Sequence, residues 1–132
     1  MIEKINHIGI AVASLDERIP FYRDVLGLTY AGTDTIPDQK VRVAMFRVGG
    51  VTIELLEPTD PESPIAKFME KNGEGMHHIS YHVDNIEAQI ADVVEKGVRM
   101  IDDVPRPGAH GTRIAFLHPK SSGRVLTEFT EE

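Results

Sequence analysis

Alternation of polar and apolar side chains is most regular over residues 75–83, and this pattern predicts a strand. Because successive side chains of a strand point to opposite faces, His78, Ser80 and His82 share one face. The other face is apolar and suits packing under a helix. The same pattern begins at His7, where apolar residues at positions 8, 10 and 12 alternate with small ones at 9 and 11. We therefore expect two similar strands, each with a histidine near its start.

A helix is predicted after each of these strands. The first begins at Ser14, which forms a capping box with Glu17, and ends near residue 27 at a glycine. Pro20 lies inside it and should bend it or shorten its first part. The second begins after Asp84 or Asn85 and ends near residue 97, again at a glycine. The two segments thus have the same order of elements and nearly the same length.

The strands that follow these helices also match. Residues 42–46 resemble residues 113–117, since each is an apolar strand opened by an arginine. Residues 51–55 resemble residues 125–129, since each has one glutamate near its centre. The sequence therefore predicts the same unit twice: a strand, a helix, and then strands of which the last carries a glutamate.

The two glutamates are Glu54 and Glu128, and their spacing from the histidines supports the repeat. Glu54 lies 47 positions after His7, and Glu128 lies 50 positions after His78. The longer turn at residues 118–123 accounts for the difference. A single histidine or glutamate in a strand would not indicate a functional site. Chance, however, rarely places the same two ligand types at the same two points of both halves.

A turn-rich connection joins the two copies and leads into a short helix, with Ser63 as its cap, Pro64 at its first position and Gly73 beyond its end. We therefore predict one α+β domain over residues 1–132. It consists of two repeated modules, residues 1–57 and 75–132, and a linker with the short helix at 58–74. The most flexible loops are expected at residues 32–39 and 105–111, which are rich in turn-forming residues.

Composition narrows the kinds of function. The chain has 132 residues, 41% of them hydrophobic and 27% charged, which is typical of a globular protein. Without cysteine, a metal site must use histidine or oxygen ligands. The net charge of -7 argues against nucleic acid as the main partner. No apolar run is long enough for a membrane span, and residues 1–5 lack the features of a signal peptide, so we expect a cytoplasmic protein.

The four matched residues His7, Glu54, His78 and Glu128 are the candidate metal ligands. If the two copies pair about a pseudo-two-fold axis, these side chains converge. Imidazoles and carboxylates without sulfur suit Co, Ni, Zn, Mn or Fe, and four protein ligands leave two positions of an octahedral ion for a chelating substrate. Of the other histidines, His77 points away from this face. His82, His110 and His118 are expected to make hydrogen bonds or to lie in loops and turns.

These motifs resemble the vicinal oxygen chelate superfamily, and within it the methylmalonyl-CoA epimerase family. The resemblance extends over nearly the whole chain, in residues 7–12, 53–58, 60–68, 75–79, 108–111, 116–120 and 125–128. It implies two tandem βαβββ modules that form a curved, partly open mixed β-barrel around a metal site. The Leu-His-Pro-Lys turn at residues 117–120 distinguishes this pattern from that of glyoxalase I, which typically carries an Asp-Pro-Asp-Gly-type turn.

The resemblance also implies a site and a reaction. His7, His78 and Glu128 would bind a divalent metal, with Co²⁺ as the first choice and Zn²⁺, Ni²⁺ or Mn²⁺ as alternatives. Glu54 would take the remaining ligand place, where some epimerases have Gln. Those epimerases often carry a further glutamate, proposed as a base, at the position of Val43.

The activity implied is interconversion of (2R)- and (2S)-methylmalonyl-CoA through a metal-stabilised enolate, with Glu54 and Glu128 as the opposed acid and base. Lys120 and Arg124 are candidates to hold the CoA phosphates, and a homodimer is expected. Glyoxalase I remains an alternative because it also uses a metal and two carboxylates. An extradiol dioxygenase is disfavoured by a fourth ligand. A metal-free small-molecule binder of the same fold, or a purely structural duplicated barrel, would not need four paired ligands.

Overall fold

The computed structural model describes every residue from Met1 to Glu132. Its backbone forms two compact units, residues 7–77 in one and residues 1–6 with 78–132 in the other. Strand β1 (Ile2–Ala11) contributes residues to both. None of the helices has the length and apolar content needed to cross a membrane.

The unit of residues 7–77 contains the first module except for residues 1–6, together with the connecting helix. Its strands are ordered β2-β3-β4-β1, with β1 parallel to β4 and the other pairs antiparallel. Beyond β1, its elements are α1 (Leu15–Pro20), a π-helical turn (Phe21–Val25), β2 (Thr29–Ile36), a 3-10 turn (Pro37–Gln39), β3 (Val41–Val48), β4 (Val51–Pro58) and α2 (Pro64–Asn72).

The second module repeats the order of strand, helix and three strands. Its strands are ordered β5-β8-β7-β6, with β5 parallel to β8 and the other pairs antiparallel. The elements are β5 (Gly75–Val83), α3 (Ile86–Glu95), β6 (Arg106–Pro107), a 3-10 turn (Ala109–Gly111), β7 (Arg113–Phe116) and β8 (Thr127–Glu131). The predicted α+β class with two βαβββ modules is therefore confirmed.

Each unit buries the apolar face of its strands against a helix. In residues 7–77, Leu15 of α1 packs with the fully buried Phe46 and Leu55. In the other unit, Ile86 of α3 packs with Ala115 and Phe129. Burying a side chain of this size contributes about 1.5–3 kcal/mol. These clusters therefore fix which face of each strand packs against the helix, and the opposite face carries the candidate ligands.

A carboxylate in the same position of each module fixes the start of its helix. In the first, Glu57 accepts from the Leu15 backbone N–H at 2.8 Å and from Arg42 Nη1 at 3.0 Å. In the second, Glu131 accepts from the Ile86 N–H at 2.9 Å and from the guanidinium of Arg113 at 2.6 Å.

The contacts of Glu131 also stabilise its charged form. Hydrogen bonds from Arg113, together with the Ile86 N–H, hold the pKa of Glu131 below its usual value. A negative group at a helix N-terminus satisfies a backbone donor that the helix itself leaves unpaired. In both modules, therefore, a glutamate of the last strand binds the N-terminus of the helix in the same way.

Local features agree with the sequence pattern in most places. Ser14 caps α1 by accepting from the Glu17 N–H, and Asn85, of the two candidates, caps α3. The α-helix ends at Pro20 and continues only as a π-helical turn, which agrees with the predicted shortening. The loop predicted over 32–39 is wrong, because residues as far as Ile36 pair with β3. Backbone pairing there outweighs the turn propensity of Gly and Asp.

Candidate functional site

His7 and Glu54 lie on neighbouring parallel strands of the unit formed by residues 7–77. Glu54 is the register partner of Gly9, two residues after His7, so both side chains point to the same face. His7 Nε2 lies 3.7 Å from Glu54 Oε1. The His7 side chain is 10% exposed and that of Glu54 is 20% exposed. An imidazole and a carboxylate held this close, with little water around them, are a suitable pair for a shared cation.

His78 and Glu128 have the same relation in the other unit. Glu128 is the register partner of Ser80, two residues after His78, again on a parallel strand. Both residues are buried, His78 with 8% and Glu128 with 4% of its surface exposed. The ring of Phe116 meets the His78 ring edge-on, with centroids 5.8 Å apart. The predicted match between the two histidine and glutamate pairs is therefore present in the strand register.

The two modules also agree in the strand beside each glutamate. Met45 of β3 pairs with Glu54, and Phe116 of β7 pairs with Glu128. Met45 lies 38 positions after His7, and Phe116 lies 38 positions after His78. The three extra residues of the second module therefore all lie between Phe116 and Glu128, in the long turn.

A chain of hydroxyl groups leads to Glu128. Thr130 Oγ1 lies 3.2 Å from Glu128 Oε1 and 2.6 Å from Ser80 Oγ. Ser80 is fully buried and Thr130 is 2% exposed. Sequence analysis places Ser80 on the histidine face but misses Thr130, because its contact depends on the pairing of β5 with β8.

In the first module, the residues next to Glu54 towards the end of β4 are apolar on the same face. Val43, 4% exposed, packs with Ala11, Val41, Leu56 and Ile65. The position at which some epimerases carry a further glutamate is therefore part of a hydrophobic cluster in this chain. Among the residues of β3 and β4 on this face, Glu54 is the only carboxylate.

The other histidines of β5 have their own partners. The His77 ring packs edge-on against Phe68 of α2, with centroids 4.9 Å apart. His82 Nε2 lies 3.0 Å from Glu3 Oε1, so this histidine faces a carboxylate of β1. That neither residue is a metal ligand stays a prediction.

The turn between β7 and β8 presents the two predicted anion-binding residues. Hydrogen bonds within the turn hold its shape. The side-chain Nδ1 of His118 accepts from the Lys120 N–H at 3.1 Å, and the Pro119 carbonyl accepts from the Arg124 N–H at 2.7 Å. Arg124 has a φ of 72°. Both side chains are exposed and neither forms an ion pair with a carboxylate, so both are available to a negatively charged ligand.

One further cation was not predicted from the sequence. Arg106 stacks over the ring of Phe116 at 5.6 Å, and its Nε lies 3.2 Å from Asp102 Oδ1. Asp102 also accepts from the Phe116 N–H at 2.9 Å. Because Phe116 contacts the ring of His78, this guanidinium lies on the side of the unit where the candidate ligands are. No sequence spacing marks Arg106, since its position depends on the edge strand β6.

Comparison with known proteins identifies relatives of the whole chain. Residues 6–116 match the model of the Glyoxalase/Bleomycin resistance protein/Dioxygenase superfamily. The mitochondrial methylmalonyl-CoA epimerase of Mus musculus is 40% identical over 97% of this chain and 72% of its own. The ethylmalonyl-CoA/methylmalonyl-CoA epimerase of Cereibacter sphaeroides is 39% identical over 99% of both chains.

Solved structures give the same result for the fold. A methylmalonyl-CoA epimerase in complex with methylmalonyl-CoA and NH4+ superposes with a TM-score of 0.93 at 41% identity, covering 100% of this chain and 96% of the other. At this level of identity and coverage, the likeness extends to both modules. The predicted glyoxalase-like fold is thereby confirmed.

Proposed function

Since this chain belongs to the methylmalonyl-CoA epimerase family of the Glyoxalase/Bleomycin resistance protein/Dioxygenase superfamily, we propose that it interconverts (2R)- and (2S)-methylmalonyl-CoA. The observation that carries the proposal is the repeated register: in each module a glutamate pairs with the second residue after a histidine. Two such carboxylates can remove a proton from one face of a carbon and return one to the other face.

The candidate ligands fit a divalent metal. We propose that His7, Glu54 and His78 hold the ion, with Glu128 as the fourth ligand. His7, His78 and Glu128 are all buried, and a bound cation would offset the cost of burying a charged carboxylate. Nitrogen and oxygen donors without sulfur suit Co²⁺, with Zn²⁺, Ni²⁺ and Mn²⁺ as alternatives. When bound, such an ion would stabilise negative charge on the thioester oxygen of the substrate.

Glu54 and Glu128 are the proposed acid and base. One carboxylate takes the proton alpha to the thioester, the other returns a proton to the opposite face, and the roles reverse with the direction of reaction. The side chain of Glu54 is 20% exposed, whereas Glu128 is buried and accepts a hydrogen bond from Thr130. The apolar residues Val43 and Leu56 lie next to Glu54 on the same face of β3 and β4.

The remaining residues of the proposal bind the CoA part of the substrate. Lys120 and Arg124 are exposed and free of carboxylate partners, and their positive charges suit the phosphates of CoA. We also propose that the protein acts as a cytoplasmic homodimer, which light scattering of the purified protein checks.

Exchange with heavy water tests the proposal. Protein loaded with Co²⁺ is incubated in D2O with methylmalonyl-CoA and, separately, with the hemithioacetal of methylglyoxal and glutathione. Deuterium at the alpha carbon of the first substrate only is the expected result. Conversion of the hemithioacetal to lactoylglutathione, without exchange in methylmalonyl-CoA, would instead identify a glyoxalase. Protein that retains no metal after dialysis and acts on neither substrate would refute both enzymatic functions.

A further inference from the structure

The hydroxyls of Ser80 and Thr130 form a directed chain that ends on one candidate ligand. An ionised carboxylate only accepts hydrogen bonds, so Thr130 must donate its proton to Glu128. The oxygen of Thr130 is then left to accept, and Ser80 must be the donor across their 2.6 Å contact. The order Ser80 to Thr130 to Glu128 therefore follows from the charge of the last member.

Burial makes this chain a specific feature. Ser80 is fully buried, and Thr130 and Glu128 are 2% and 4% exposed. A buried hydroxyl without a partner costs about 1–3 kcal/mol by mutational measures, whereas these two satisfy each other and the carboxylate. The three side chains lie on one face of the parallel strands β5 and β8, where the pairing keeps their spacing constant.

The first module has no equivalent of this chain. Gly9 and Leu56 occupy the positions that match Ser80 and Thr130, and neither side chain has a hydroxyl. The repeat therefore preserves the histidine and the glutamate but differs in what surrounds the glutamate.

We infer that Ser80 and Thr130 are positioning residues that hold Glu128 in one orientation as a metal ligand. This inference rests on the proposed function. Groups that hydrogen-bond a metal ligand from behind typically contribute roughly 10–100-fold to metal affinity or activity. Neither hydroxyl is expected to touch the substrate.

Calorimetric titration of the metal-free protein with Co²⁺ tests the inference, using Thr130→Val, Thr130→Ser and Ser80→Ala. Thr130→Val keeps the shape but removes the donor, and we expect a Co²⁺ affinity roughly 10–100-fold weaker. Thr130→Ser should restore most of the affinity because it restores the hydroxyl. Ser80→Ala should cause a smaller loss, and combining it with Thr130→Val should add little, because Ser80 acts through Thr130.

A control separates the hydroxyl from the threonine shape. Thr127→Val removes a hydroxyl from the same strand, but that hydroxyl donates to the Val125 carbonyl and lies on the other strand face, so Co²⁺ affinity should not change. The absorption bands of bound Co²⁺ give a second measurement. They should shift in Thr130→Val and not in Thr127→Val, since only the first alters the orientation of Glu128.

The outcomes distinguish this inference from the function on which it rests. Folded Thr130→Val that binds Co²⁺ as tightly as the wild type would overturn the inference alone. If Thr130→Val does not fold, an unchanged affinity of Ser80→Ala would overturn it in the same way. Wild-type protein that neither binds Co²⁺ nor exchanges deuterium into methylmalonyl-CoA would overturn the proposed function, and the inference with it.

Discussion

Replacing Glu54 with Gln separates proton exchange from epimerisation. If Glu54 serves one face of the substrate and Glu128 the other, the variant keeps a base for only one epimer. That epimer should still exchange its alpha proton with solvent, while the other should not. Starting from a racemic mixture in D2O, the wild type should deuterate all of the substrate, and Glu54→Gln should stop once half of it is labelled.

The size of the loss follows from the surroundings of Glu54. A positioned general base contributes about 10²–10⁴-fold to a rate, which corresponds to about 2.7–5.5 kcal/mol of activation free energy. On β3, the residues that share its face are Val41, Val43, Met45 and Arg47, and none of them can accept a proton. His7 lies 3.7 Å away but is a proposed metal ligand, whose nitrogen would be taken up by the ion. We therefore expect the epimerisation rate to fall by the upper part of that range.

A second substitution tests whether the base can be moved. Val43 lies on the same face as Glu54, two register pairs further along β3, so Val43→Glu combined with Glu54→Gln should restore part of the epimerisation rate. Burying a carboxyl group in that apolar cluster should cost about 1–3 kcal/mol of stability, which urea unfolding measures. Val41→Glu with Glu54→Gln is the matched control, because it places the same group two register pairs further away and should restore nothing.

Nuclear magnetic resonance follows both deuterium incorporation and the loss of the alpha-proton signal, and circular dichroism checks that each variant is folded. Full labelling of the racemate by Glu54→Gln at a rate near that of the wild type would refute the assignment of Glu54 as a base. Complete loss of labelling, in a folded variant that still binds Co²⁺, would show that Glu54 serves both faces, which also contradicts the two-base scheme.

Three further predictions concern stability and substrate binding. Hydrogen bonds from Arg113 lower the pKa of Glu131, so its contribution is present above the pKa of the unfolded chain and is lost as pH falls through the folded value. Glu131→Gln should therefore reduce the dependence of the urea midpoint on pH below about 4.5. Asn85→Ala and Ser14→Ala should each cost about 1 kcal/mol of unfolding free energy. Lys120→Ala should raise KM for methylmalonyl-CoA, less so at high salt.

Each of these has its own control. A pH dependence unchanged by Glu131→Gln would contradict the assigned pKa shift. The control for the two caps is Thr59→Ala, in the exposed connection, which should leave the unfolding free energy unchanged. Ser122→Ala is unsuitable because the Ser122 hydroxyl donates to the Val125 carbonyl. Lys96→Ala removes a surface charge that pairs with Asp92, and an equal rise of KM in this variant would show that Lys120 acts only through net charge.

The sequence predicts much of the candidate site because the same candidate ligands occur in both copies of the repeat. His7 and Glu54 alone are two ordinary strand residues, and their reappearance at matched places as His78 and Glu128 indicates a shared role. The strand register reproduces this match in both modules. Hydrophobic periodicity and the capping residues likewise predict all three helices, since these signals are local.

What the sequence does not predict depends on contacts between distant segments. Thr130 approaches Ser80 only because β5 and β8 are parallel neighbours in one particular register. Glu57 reaches the start of α1 in the same way, across 42 positions of sequence. The strand at residues 32–36 is not predicted because its composition favours a turn, whereas pairing with β3 satisfies its backbone hydrogen bonds.

The difference in turn length between the modules has a consequence for how such a protein can evolve. Gly49 and Gly50 alone join β3 to β4, whereas the second module uses residues 117–126 for the same connection. A one-residue slip within β8 would turn Glu128 to the opposite face, but insertions into the turn leave its register intact. Selection is therefore free to try new lengths and charges there, including those of Lys120 and Arg124, and to change which molecule is held without disturbing the chemistry.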